Sequence, residues 1–180
     1  LYNFSNCVLE HSIETGKSDL SDAAVISTSK GECLVIGCSD DDLLLVDLSN
    51  NRLSAFKRQS FHKIVQIELI DSLLVTLSDN QSIEVYSVLD VRQMTLKHKR
   101  KAKRNVKDLP SLEDYLEALP NCLSLEAEVK LSENSKRMAL VDQSNLERLS
   151  LIAFTGKNSY KTVEIDISGQ KIVRETITAC

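Results

Sequence analysis

The feature that most constrains this chain is an internal repeat. Leu34-Val35 recurs forty places later as Leu74-Val75, and each pair opens a short apolar run that ends in Ser-Asp, at Ser39-Asp40 and Ser78-Asp79. Polar residues then turn the chain, and a second run follows with matched apolar positions: Leu43 with Ile83, Leu45 with Val85, Val46 with Tyr86 and Leu48 with Val88. Leu- and β-branched runs of about five residues, separated by Asp, Asn and Ser that favour tight turns, are strands joined as hairpins. A period of about forty residues with four strands per unit is that of a propeller blade. Later in the chain, Val163, Ile165 and Ile167 alternate with Thr162, Glu164 and Asp166, the pattern of a half-buried strand. A third unit is therefore expected from Leu123–Leu131, Arg137–Asp142, Leu146–Phe154 and Tyr160–Ile167, with Gln170–Thr178 after it.

The fold expected is all-β, a partial β-propeller of about three to four four-stranded blades. Its core is expected at Leu34, Ile36, Leu45, Ile67, Leu69, Val75, Leu77, Val85, Val141, Leu151, Ile165 and Ile167. A closed ring usually holds more blades than 180 residues supply. With no initiator Met and no basic-then-apolar leader, residues 1–180 read as an N-terminal propeller fragment of a longer protein.

One stretch departs from the strand pattern. Residues 97–121 read as a basic and helical insert between blades: a charged run, then Ser111 to Leu119 with Leu112, Tyr115, Leu116 and Leu119 on one helical face. Ser111 and Asp114 resemble a capping box, Pro110 suits the helix entry and Pro120 ends it. The insert carries seven basic residues, Lys97, Lys99, Arg100, Lys101, Lys103, Arg104 and Lys107. Against a net charge of -4 they leave an acidic remainder of -11. Such a body repels polyphosphate, and no aromatic residue is interleaved with the basic run, so nucleic-acid binding is disfavoured. The run reads as a solvated loop, or as a patch for an anionic membrane surface. The acidic tip Asp40, Asp41, Asp42 reads as a solvated hairpin turn, since the Gly and distal Glu of a calcium loop are missing. Together, the tip and the insert are the candidate binding elements, with opposite charges suited to steering a partner.

Catalytic chemistry has little support. His11, His62 and His98 lie in no metal-ligand spacing, and no serine sits in a nucleophile elbow. Gly16-Lys17-Ser18 resembles the end of a phosphate loop, but His11 stands where its first Gly belongs. The five Cys follow no framework spacing, which favours a reduced, intracellular compartment. Cys33 and Cys38, five positions apart on one strand, fall on opposite faces and cannot share a ligand site. The reading is of a protein that is not an enzyme, with no catalytic residue, cofactor or metal.

The residues Lys63-Ile64-Val65-Gln66-Ile67, then Leu73-Leu74-Val75-Thr76-Leu77-Ser78-Asp79, then Ile83-Glu84-Val85-Tyr86-Ser87-Val88 resemble the signature hairpins of the citron homology domain. The match runs from about Glu32 to Met94. Within that family the spacing is similar to the vacuolar and endosomal tethering subunits of HOPS and CORVET, the TGF-β-receptor-associated protein-like group. The resemblance implies a propeller domain that binds a Rab-type small GTPase or a sister tethering-complex subunit, in the cytoplasm and peripheral on endosome or vacuole/lysosome membranes. Citron domains on protein kinases and Rho exchange factors are interaction scaffolds as well, so the alternatives are an anionic-membrane or nucleic-acid binding module driven by the basic run 97–107, or a citron homology scaffold of a signalling protein.

Overall fold

The structure, a computed structural model, describes residues 2–3, 8–9, 12, 14–16, 19–28, 31–38, 42–49, 52–88, 122–132, 135–145, 147–156 and 159–179. These form fourteen strands: β1 Tyr2–Asn3, β2 Val8–Leu9, β3 Leu20–Thr28, β4 Gly31–Cys38, β5 Asp42–Asp47, β6 Arg52–Lys57, β7 Ile64–Ile70, β8 Leu73–Ser78, β9 Ser82–Val88, β10 Leu123–Lys130, β11 Arg137–Asn145, β12 Arg148–Gly156, β13 Ser159–Asp166 and β14 Lys171–Ala179. Apart from the short β1–β2 pair they make three antiparallel sheets of four strands, each in sequence order: β3 to β6, β7 to β10 and β11 to β14. No helix occurs among the described residues, and none is long and apolar enough to cross a membrane.

Strand chemistry accounts for the stacking. On β8 every residue from Leu73 to Ser78 is buried, because the middle sheet is covered on both faces. Leu73, Val75 and Leu77 face the third sheet and meet Leu149, Leu151, Val163 and Ile165 in one core. On the opposite face Leu74, with Ile64, Ile67 and Tyr86, packs on Val35, Leu43 and Leu45 of the first sheet in a second core. Each fully buried Leu, Ile or Val there contributes about 1.5–3 kcal/mol of transfer free energy. Phe56 of the first sheet and Tyr86 of the second close that seam edge to face, with ring centroids 5.6 Å apart.

Innermost strands β3, β7 and β11 are tied by side chains that act as backbone surrogates. The Ile67 amide donates to Asp22 Oδ2 at 2.7 Å, linking β7 to β3. Gln66 clasps β11 with its whole amide: Nε2 donates to the Met138 carbonyl at 2.9 Å, and Oε1 accepts from the Met138 amide at 2.7 Å. Gly37 marks a close approach of the first two sheets, where a Cβ would lie 2.9 Å from Ile64 Cγ2. A larger residue there would force β4 and β7 apart.

Several expectations change. Leu123–Lys130 pairs with β9, Leu123 opposite Val88, and so completes the second sheet instead of opening the third. Residues 89–121 therefore join two strands of one sheet, not two sheets; the basic run and the expected helix within them lie outside the described residues. Val141 is 57% exposed because the ladder slips between Leu140 and Asp142, and Leu69 is 38% exposed near the end of β7; neither belongs to the core. Leu34 is only half-buried. The other nine expected core positions are buried. Cys33 and Cys38 belong to different core clusters, on opposite faces of β4 as the spacing requires.

Candidate interaction surface

Antiparallel order places the connections at two opposite ends. At one end lie the β4–β5 and β8–β9 turns and the segments joining sheet to sheet, 58–63 and 131–136. At the other end lie the β7–β8 and β13–β14 turns and both roots of the 89–121 segment, Val88 and Cys122.

The first end is built on a buried charge network. Arg58 follows β6, Glu84 is central on β9, and both side chains have no solvent exposure. Arg58 Nε donates to Glu84 Oε2 at 2.7 Å, Nη2 to Ser78 Oγ at 2.8 Å and Nη1 to the His62 carbonyl at 2.8 Å. The same Glu84 oxygen accepts from Tyr86 OH at 2.8 Å and Thr76 Oγ1 at 3.1 Å. Burial, then the adjacent Glu84 carboxylate, hold the Tyr86 phenol far above its ordinary range, so it stays a donor. Glu84 Oε1 and Ser60 Oγ are buried without a hydrogen-bond partner among the described residues.

Above this network the 58–63 segment is fixed from inside and from the side. The Asp79 amide donates to the Lys63 carbonyl at 2.9 Å, and His62 Nδ1 lies 3.6 Å from Asp79 Oδ1. On the braced segment stands Phe61, 78% exposed, the most exposed large apolar side chain among the described residues. Lys57, His62 and Lys63 around it in sequence are exposed. A fixed loop presenting one aromatic ring suits recognition, because little further ordering is needed on binding.

Of the sequence-predicted site residues, Asp42 is described. It begins β5, half-exposed, opposite Lys57 and at the same end as Phe61. Asp40 and Asp41 lie outside the described residues, as do Lys97, Lys99, Arg100, Lys101, Lys103, Arg104 and Lys107. The strands from which the acidic tip and the basic segment depart turn at opposite ends, so the two are not rooted together. Arg58, Phe61 and Glu84 were missed by sequence reasoning. The signal was the repeated Ser-Asp: Ser78 receives an arm of Arg58, and Asp79 holds Lys63 and His62.

Cys33 and Cys122 are buried free thiols of one core cluster. Burial, reinforced by Cys122 and Asp47, pushes the Cys33 thiol up to about 12, and burial alone pushes Cys122 up to about 11. They are packing groups, not nucleophiles. No cluster of three or more metal-ligating side chains occurs among the described residues.

Solved structures share this arrangement. The β-propeller domain of Myceliophteria thermophila Cps50 (Swd1) superposes with a TM-score of 0.54 at 14% identity, over 87% of this chain and 42% of that one. The described residues form three blades of a β-propeller. A computationally designed protein, Ika8, matches 92% of the chain at TM-score 0.53 and 13% identity, over 38% of its own length. Kuenenia stuttgartiensis hydrazine synthase matches 99% at TM-score 0.59 and 12% identity, over 42% of its own length. The three blades thus span less than half of each of these proteins, and identities this low carry the fold alone. No family model matches the sequence, and no curated protein does.

Proposed function

We propose that these blades are the protein-interaction domain of a vesicle-tethering subunit of the HOPS or CORVET kind, non-enzymatic, docking a Rab-type GTPase or a sister subunit at endosome or vacuole/lysosome membranes. The propeller is a general interaction scaffold. The observation that carries the docking reading is Phe61, held out on a segment braced by a fully buried ion pair. The resemblance of Lys63–Val88 to the citron homology hairpins, which are β7 to β9 here, supplies the tethering context. The buried ionisable groups Arg58, Glu84 and Lys161 have their charges engaged by protein partners, which suits scaffold work better than turnover.

Capture by the full-length protein from a panel of Rab GTPases in both nucleotide states, together with the tethering subunits, tests the reading. One GTPase or subunit should be retained and weakened about tenfold by Phe61→Ser, the loss of a typical aromatic anchor. Retention of none of them overturns it. Flotation with acidic liposomes that is abolished by changing Lys99, Arg100, Lys101, Lys103 and Arg104 to Ala, with no protein captured, would establish the membrane reading instead.

A further inference from the structure

The first and third blades each have one face with no described blade against it, and the two faces differ in burial. On the third blade's free face Phe154 is 45% exposed and Ile152 is half-exposed. On the first blade's free face Ile36 and Leu44 are buried, and Cys38 and Val46 have no exposure at all. These four form a core cluster whose members all belong to the first blade, with Leu34 and Leu48 packed at its margin. The register gives the composition of this face. Val25, Leu34, Val46 and Leu53 make one cross-strand row, and Ala23, Ile36, Leu44 and Ala55 the next, with no polar side chain in either. Aliphatic side chains standing on an open sheet face stay in contact with water, so this face is covered from within the chain. The cover is neither the second blade, which packs on the opposite face at Val35, Leu43 and Leu45, nor the third, which lies beyond the second.

The cover is also narrow. Burial is confined to the two middle strands β4 and β5, while the same rows emerge at both edges: Ala23 and Val25 on β3 are exposed, as are Leu53 and Ala55 on β6. A whole blade covers more than this. Where the second blade seats the third, burial runs from Leu73 on β8 through Ile83 on β9 to Ala127 and Val129 on the outermost β10. The first blade's free face is covered across two strands, at about 4.8 Å between neighbours.

Among the described residues the element that has this width and belongs to no blade is the β1–β2 hairpin, with Tyr2 opposite Leu9 and Asn3 opposite Val8. It precedes the first blade directly. The chain enters that blade on the covered face, because Leu20 at the start of β3 stands opposite Cys38. Residues 10–19 reach about 35 Å when extended, enough to bring the hairpin back along β4 and β5. Residues 89–121 start elsewhere: they leave at Val88 and return at Cys122, which pack in the cluster on the blade's other face.

We propose that the β1–β2 hairpin is a strap on the first blade, lying along β4 and β5 where a preceding blade would sit. It keeps an all-aliphatic face from other chains, a surface that would otherwise invite association. The strap does not depend on the docking reading of Phe61 and fails separately from it.

Alkylation of the native full-length protein by N-ethylmaleimide, read cysteine by cysteine by mass spectrometry, tests it. Cys38 lies in the cluster under the strap, while Cys33 and Cys122 lie in the core on the opposite face as internal controls. Replacing Tyr2–Leu9 by a Gly-Ser run of equal length should speed alkylation of Cys38 about tenfold and leave Cys33 and Cys122 unchanged. Val8→Asp and Leu9→Asp, made separately, sharpen the test. Neighbouring strand residues point to opposite faces, so one of the two should release Cys38 and the other should not. Unchanged protection of Cys38 in the Gly-Ser variant overturns the proposal and assigns the cover to another part of the polypeptide. Release of all three cysteines together also overturns it, since the hairpin would then support the whole fold and not one face, and so does equal behaviour of the two aspartate variants.

Discussion

Two buried cations serve neighbouring blades in different ways. In the second blade Arg58 meets Glu84 with both side chains sealed from solvent, and its arms also reach Ser78 and the His62 carbonyl. In the third blade Lys161 is equally buried, but its partner Glu175 keeps 22% of its side chain exposed, and Ser132 donates to the same Glu175 oxygen that Lys161 does. Arg58 is a planar fork that fixes backbone in place; Lys161 is a single charge at the rim. The loss of either cation leaves a carboxylate behind, but only Glu175 can turn toward water.

The largest expected effect follows from that difference. Arg58→Ala strands Glu84 in the core and should cost about 3–5 kcal/mol, measured by denaturant unfolding. Arg58→Met combined with Glu84→Leu removes both charges and should recover only part of the loss, because Tyr86 OH, Thr76 Oγ1 and Ser78 Oγ lose their buried partners. It should still speed hydrogen exchange at the Asp79 amide, which holds the 58–63 segment through the Lys63 carbonyl. A double variant as unstable as the single one would mean that the network's worth lies in the hydroxyl hydrogen bonds to Glu84 and not in paired charge.

An intermediate effect is expected at the seam between these two blades. Gln66→Ala leaves the Met138 amide and carbonyl without the partners they have on β7. The expected cost is about 1–3 kcal/mol, since each group must then find water in a partly buried seam. Gln66→Glu keeps the acceptor but sets a carboxylate against the Met138 carbonyl and the Glu68 carboxylate, which Gln66 Nε2 reaches at 2.6 Å, so it should be at least as destabilising as alanine at neutral pH. Equal stability of all three proteins would show that the blades are held by their apolar faces alone.

How much of this was legible depended on whether a residue's neighbours lie near it in sequence. The strands, the forty-residue unit and most core positions follow from local alternation, and the opposite placement of Cys33 and Cys38 needs only the period of a strand. The assignment of β10 failed because residues 89–121 separate it from β9, the strand it pairs with. Val141 read as core by alternation, but a slip in the β11–β12 ladder displaced the phase by one. Nothing local in the sequence marks Arg58 and Lys161 as buried, because Glu84 and Glu175 wait across the sheet, 26 and 14 residues away. Phe61, flanked by Ser60 and His62, carries no periodic signal at all, and its exposure comes from the brace beneath it.

The smallest effect is expected at Lys161, and its pH dependence distinguishes the rim pair from the sealed one. Partial burial works against the charge on Glu175, but hydrogen bonds from Lys161 and Ser132 outweigh it, so the carboxyl is held below its ordinary value of 4.5. A carboxylate depressed in the folded state stabilises the fold above its unfolded pKa, and that contribution disappears as the pH falls through the folded value. Lys161→Met removes the chief donor while keeping the stem that packs in the core. The carboxylate it leaves is partly solvated, so the expected loss is about 1 kcal/mol at pH 7. The gap between variant and wild type should hold steady from neutral pH down to about 5 and then narrow with further acid, because protonated Glu175 has no charge left for Lys161 to answer. Urea unfolding of both proteins between pH 7 and pH 3 reads this directly. A gap that stays constant into acid would place the worth of Lys161 in its buried stem and not in its charge.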